Sequence, residues 1–347
     1  MLSVVKTTEF VCSWTRLTRR NTSYPSLLRW KVLSDIVGQE QAVRYFRRFV
    51  AGQVDKPLLL VGDEGTGRRF SVMEAILEMV MAKRGENSPE VIQVRNGTHP
   101  DVVTVSSPDE KEIGIEPIRE ILDRSIMLPI SAPHRFFIVD GADRMTPAAS
   151  NAILKKLEEP PALSRFFLLA ESFDRVLPTI RSRCGRVNFR RLPESFVFQR
   201  ISQFERDSGK ALVYSRLGEG SVGRAIKYWG SNRLTLRDRA LTMLEASANG
   251  DISSAFSVID EVSKDLNLVF KFLTFLVHDV LVGGVDQSRV VNRDIEEELS
   301  SMRSSVKIAT WNTLWDGLRI VNDRNESSYI NLGFQLKTTL ASTFCGG

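Results

Sequence analysis

From about residue 33 to residue 190, short apolar runs alternate with stretches whose apolar positions recur every three and four residues. Runs of the first kind fit buried strands, and repeats of the second kind fit amphipathic helices. Ala42, Val43, Phe46, Phe49 and Val50 share one apolar face at helical spacing. Residues 57–61 read as a short buried strand that runs straight into a glycine-rich turn. Val72, Ala75, Ile76, Met79 and Val80 then give the helix that follows it. Residues 102–105 form a second strand, and Ile118, Ile121 and Leu122 mark a helix opened near Glu116 and Pro117. Residues 136–139 are the next strand, ending at Asp140. Thr146 fits an N-cap with Pro147 at the first helical position, Ile153, Leu154 and Leu157 on the inner face, and Pro160 and Pro161 as the stop. Strands at 166–170 and 187–189 complete the series. Such alternation predicts a parallel sheet covered by helices.

Strand signals fade from residue 193. Residues 193–236 read as a small helical group punctuated by Gly218, Gly220 and Gly223, and residues 237–347 read as helical throughout. The clearest segments there are 240–246, 266–282, 294–302 and 308–321. Although 266–282 is the most apolar stretch, Lys271, His278 and Asp279 make it a buried helix and not a membrane span.

Composition narrows the class only a little. A chain of 347 residues, 42% hydrophobic and 26% charged, can bury a core in two or three domains. Its net charge of +5, from 47 basic and 42 acidic side chains, permits a nucleic-acid partner without requiring one. Cys12, Cys184 and Cys345 are too few and too scattered for a disulfide framework or a metal site, which fits a reducing, cytoplasmic setting. The first thirty residues carry Lys6, Arg16, Arg19, Arg20 and Arg29 against Glu9 alone, so 1–32 is expected to be a basic, disordered extension.

Candidate chemistry begins at Gly62-Asp63-Glu64-Gly65-Thr66-Gly67-Arg68-Arg69, between a strand and a helix. Its glycines match the phosphate-loop pattern GxxxxGK[ST], in which backbone amides and a helix N-terminus cradle phosphate. The pattern wants Lys where Arg68 stands and a magnesium-binding hydroxyl where Arg69 stands. A planar guanidinium does not replace a compact ammonium, and Arg69 cannot ligate a hard cation. Ser71 lies two helical positions further on, rotated by roughly 200°. The strand ending at Asp140 has the form of a Walker B strand, whose aspartate helps hold magnesium. Gly141 stands where working motors carry a water-polarising glutamate. Asp143 reads as a solvated turn residue. The loop therefore reads as degenerate.

Ser182-Arg183-Cys184 follows the fourth strand after Pro178. An arginine in a turn is by default a solvated surface charge. Here the triplet resembles the SRC signature of clamp-loader AAA+ subunits. Leu33-Ser34-Asp35-Ile36-Val37-Gly38-Gln39-Glu40 resembles the opening box of the same modules. Gly97-Thr98-His99-Pro100-Asp101 is similar to their His-Pro-Asp segment, and Ala149-Ser150-Asn151-Ala152-Ile153-Leu154-Lys155-Lys156-Leu157-Glu158-Glu159-Pro160-Pro161 to their AANALLKTLEEPP helix. The resemblance spans residues 33–190. A changed phosphate loop beside an intact SRC triplet resembles the delta-prime branch of DNA polymerase III clamp loaders and not the gamma/tau motor.

This resemblance implies an α/β AAA+ module at 33–192, a helical lid at 193–236 and an all-α collar domain at 237–347. Arg183, flanked by Ser182 and Cys184, would enter the ATP site of a neighbouring gamma/tau subunit, with the delta subunit, the sliding clamp and primed DNA as further partners. The degenerate site (Gly62, Gly65, Gly67, Arg68, Arg69 and Asp140) would be idle, and ATP would be bound by the neighbours. Members with a zinc module carry four cysteines upstream of the His-Pro-Asp segment. Residues 82–100 hold none, so no zinc is expected and His99 reads as structural. Arg224 stands one residue later than the motors' sensor arginine, with Gly223 at that position, and receives no nucleotide role. The rival reading is an active AAA+ ATPase, gamma/tau-like or helicase-like, with an atypical loop.

Overall fold

The computed structural model describes residues 36, 38–106, 112–327 and 331–345, so the extension 1–32 and Leu33, Ser34, Asp35 and Val37 lie outside the described residues. Tertiary contacts divide the chain into two compact units. One runs to Pro193 and includes Ser221–Gly223; the other comprises Glu194–Gly220 and the chain from Arg224 onward.

Among the described residues of the first unit, five strands form one sheet: β1 (Leu58–Val61), β2 (Val102–Ser106), β3 (Arg135–Asp140), β4 (Ser164–Ala170) and β5 (Gly185–Asn188). Their order is β2-β3-β4-β1-β5 and every pairing is parallel. Parallel neighbours need crossovers, and helices supply them. The helices are α1 (Glu40–Val50), α2 (Arg68–Arg84), α3 (Pro89–Arg95), α4 (Ile115–Ser125), α5 (Pro147–Glu158) and the single turn α6 (Pro178–Arg181).

Strand side chains alternate between two cores. Leu58, Leu60, Phe136, Ile138, Phe167 and Leu169 pack with Phe46, Val72 and Ile76 of α1 and α2. Leu59, Phe137, Val139, Phe166 and Leu168 pack on the other face with Ile118, Ile153, Leu157 and Ile180 of α4, α5 and α6. Each fully buried Leu or Phe contributes about 1.5–3 kcal/mol, so the strand ends that carry chemistry are fixed from both sides.

The His-Pro-Asp segment secures the start of β2. Asp101 is fully buried and accepts hydrogen bonds from the amides of Ile130, Ser131 and Ala132 at 2.8, 2.8 and 3.0 Å, with Arg135 Nη2 at 3.4 Å. Burial pushes its carboxyl up, but those amides and Arg135 outweigh it and hold the group below the usual carboxylate range. His99 Nδ1 accepts from the Asp101 amide at 3.1 Å, and its Nε2 lies 3.3 Å from Ser131 Oγ. Both ring nitrogens are engaged within the fold.

The second unit is helical: α7 (Glu194–Ile201), α8 (Ser208–Leu217), α9 (Val222–Gly230, whose first two residues belong to the first unit), α10 (Leu234–Ala248), α11 (Ile252–Glu261), α12 (Leu266–Val282), α13 (Glu296–Ser305), α14 (Ile308–Ser327) and α15 (Leu332–Phe344). Phe272, Leu276, Trp311, Leu314 and Leu336 are fully buried. The 193–236 group and the later helices are joined through Arg216 Nη1, which donates to Arg289 O at 3.1 Å, and Lys271 Nζ, which donates to Leu217 O at 3.3 Å. The expected helix at 294–302 begins instead at Glu296 after a 3-10 turn at Arg293–Ile295. Asp294 in that turn accepts from Arg237 Nη1 at 2.7 Å on both carboxylate oxygens, which draws the segment out of helical register.

Candidate functional site

Because β4 lies between β3 and β1, the carboxyl ends of all three strands adjoin, which is where parallel α/β sheets bind ligands. The loop after β1 carries Gly62, Gly65, Gly67, Arg68 and Arg69, β3 ends in Asp140, and Glu171 follows β4. The sequence-predicted loop residues and Asp140 are therefore brought together.

Their charges are matched internally. Arg69 Nη1 stands 3.7 Å from Asp140 Oδ2, and Arg68 Nη2 stands 3.9 Å from Glu171 Oε1. Arg68 is buried, its side chain only 8% exposed. Burial raises the Glu171 carboxyl above its ordinary pKa while Arg68 pulls it the other way. Thr66 turns its hydroxyl and its amide onto one oxygen, Asp63 O, at 2.7 and 3.3 Å. Ser71 is fully buried, so its hydroxyl does not reach the loop's open side.

Gly141 adopts φ 108° and ψ 43°, a left-handed conformation in which an L side chain is strained. Ser221 Oγ donates to Glu64 O at 2.9 Å, and Gly223 N donates to Gly65 O at 3.1 Å. A Cβ on residue 223 would stand 2.8 Å from Gly65 Cα, so only glycine allows this approach. The segment Ser221–Gly223 thus lies on the phosphate loop.

Asp143 corrects the sequence reading. Its Oδ2 accepts from the amides of Glu171 and Ser172, both at 3.1 Å, so it ties the end of β3 to the end of β4 and is not a solvated turn residue. Gln39, whose role the sequence did not reveal, spans the loop and β5's continuation. Its Nε2 donates to Arg190 O at 2.6 Å and reaches Thr66 O at 3.5 Å, and its Oε1 accepts from the Arg190 amide at 3.0 Å. The only signal for Gln39 was its place in the opening box; Glu171 had none.

The SRC triplet lies on a different loop, after α6. Ser182 Oγ donates to Thr179 O at 3.1 Å. Cys184 packs against the core on the α5–α6 face, and burial pushes its thiol up to about 12, so it is a packing group and not a thiolate. Arg183 is 31% exposed at its side chain, pairs with Glu158 at 2.9 Å and donates from Nη1 to Thr179 O at 3.0 Å. Arg181 has separate partners, Asp174 at 3.2 Å and the Phe173 ring at 4.7 Å. Arg224 pairs with Glu219 at 3.0 Å.

Residues 38–193 match the family described as DNA polymerase III, delta subunit. The chain is 30% identical over 202 residues to DNA polymerase III subunit delta' of Escherichia coli, covering 57% of this chain and 60% of that protein. It is 24% identical over 304 residues to human replication factor C subunit 4, covering 80% and 78% respectively. A solved structure, a DNA polymerase III gamma subunit-related protein from Thermotoga maritima, is 22% identical with a TM-score of 0.44 and covers 87% of this chain and 98% of its own. The match thus spans 60% of the length of the E. coli relative. Across residues 38–193 the chain is similar to the DNA polymerase III delta subunit family, and over 202 residues to the delta' subunit of Escherichia coli.

Proposed function

We propose that the chain is a non-hydrolysing, delta-prime-like clamp-loader subunit that lends Arg183 to the ATP site of an adjacent gamma/tau motor. The observation that carries this reading is the Arg69–Asp140 pair. A guanidinium stands 3.7 Å from the carboxylate that should hold magnesium, so it would compete with a metal cation for that oxygen. Gly141 supplies no base, and Ser221 and Gly223 are hydrogen-bonded to the carbonyls of Glu64 and Gly65 in the loop. Magnesium-ATP does not fit this set of residues. Arg183, in contrast, is a partly exposed cation on a loop anchored to the core, the requirement for a finger that stabilises phosphoryl charge in trans.

On this reading the module is a stator in a cytoplasmic assembly with gamma/tau and delta, and the assembly places a sliding clamp on primed DNA. The test is reconstitution with the motor and delta subunits, comparing wild type with Arg183→Ala. ATP turnover and clamp loading should fall steeply with assembly intact, since such a finger is worth about 10³–10⁵ in rate at its own site. Unchanged rates, or robust ATP turnover by the isolated chain that is lost on Asp140→Ala, would overturn the assignment in favour of a motor.

A further inference from the structure

Arg183 Nε and Nη2 both donate to one oxygen, Glu158 Oε2, at 3.1 and 2.9 Å, and Nη1 donates to Thr179 O at 3.0 Å. Arginine has five N–H donors, so three are committed and two stay free, one on each terminal nitrogen. Those two nitrogens form the edge that grips an oxyanion in a bidentate fork. Glu158 closes α5 and Thr179 belongs to α6, and Leu157 and Ile180 beside them are buried in one core cluster. The fork is therefore held from two rigid elements, not from a loose loop.

Helix stability does not account for Glu158. An acid in the last turn opposes the helix dipole, which Lys155 and Lys156 in the same turn satisfy. Nor does an exposed ion pair contribute much to folding, because water and salt screen it. The side-on grip on Arg183 gives the acid a purpose that neither stability argument supplies.

We infer that Glu158 is the positioning residue of the Arg183 finger, fixing the guanidinium side-on so that its terminal edge faces an incoming phosphoryl group. This rests on the reading of Arg183 under Proposed function. The experiment uses the full reconstituted assembly with clamp and primed DNA, and compares Glu158→Ala, Glu158→Gln, Arg183→Ala and the double variant Glu158→Ala/Arg183→Ala. Glu158→Ala should lower kcat for clamp loading on the order of tenfold, as misplacement of a catalytic group does, with KM for ATP unmoved. Because one oxygen accepts both donors, Glu158→Gln should recover most of the lost rate. The double variant should be no slower than Arg183→Ala, since an aimed group cannot matter once it is gone. A rate for Glu158→Ala equal to or above wild type beside a slow Arg183→Ala would overturn this inference and leave the finger intact. An equal loss in the Arg183→Ala background would also overturn it. Failure of Arg183→Ala to slow loading would instead remove the reading on which it rests.

Discussion

At position 141 the missing carboxylate and the backbone are one fact. Gly141 takes φ 108°, and an added Cβ would stand 2.9 Å from the Arg144 guanidinium. A side chain restored at this position therefore meets a backbone that disfavours it. The triple change Arg68→Lys, Arg69→Thr, Gly141→Glu should leave the isolated chain without ATP turnover, and Gly141→Glu alone should cost about 1–3 kcal/mol of unfolding free energy through strain. Measurable turnover by the triple variant would contradict the geometry. Asp101 is the opposite case, a buried charge with every contact in place. Asp101→Asn leaves the buried Arg135 uncompensated and should cost about 3 kcal/mol, read as faster amide exchange in β2 and β3. The folded-state pKa is depressed, so the contribution is present above the unfolded value near 4 and is lost as pH falls through the lower folded value. The gap between wild type and variant should accordingly shrink only below about pH 4.

Among the elements, α5 shows local signals agreeing with the fold. Thr146 accepts from the Ala149 amide at 3.2 Å and Pro147 opens the helix, both as the sequence predicts. Thr146→Ala should cost about 1 kcal/mol in unfolding free energy and Thr146→Ser almost nothing, and equal losses would mean that the hydroxyl is not the cap. All five predicted strands exist, and Leu266–Val282 has the predicted bounds. Period and punctuation carry that information. They do not carry strand order, because alternation along β1 is the same whether β4 or β2 lies beside it. The helix α3 escaped because seven residues are too few to display a period, although Ser88-Pro89-Glu90 is a cap signal and Ser88 Oγ does accept from the Val91 amide at 3.3 Å. In the site, Gly62–Arg69 and Asp140 were legible as a contiguous loop and a strand end. The pairing of Arg68 with Glu171, the strap made by Asp143 and the contact of Gly223 with Gly65 were not, since each joins segments that only the folded sheet brings together.

For the molecule as a whole, the two units have their own cores, and the phosphate loop is bonded by other groups of the chain. Arg69 pairs with Asp140, and Ser221 and Gly223 donate to the carbonyls of Glu64 and Gly65. On the proposed reading, magnesium-ATP would have to compete with the Arg69–Asp140 pair for the carboxylate that should hold magnesium. If the chain is the stator proposed above, its geometry should not change as neighbours bind and release ATP. Linkage turns this into a measurement. A ligand at a hundred times its Kd adds about 2.7 kcal/mol to the stability of the state that binds it, which raises the unfolding temperature by several degrees. Millimolar magnesium-ATP should leave the Tm of the isolated chain where it is. The same addition to Ser221→Ala with Gly223→Ala, which strips a donor and blocks the close approach, should still give no rise, because Arg69 and Asp140 remain paired. A rise appearing only in that variant would mean that the overlying segment alone keeps nucleotide out, while a rise in wild type would mean that the loop is in use.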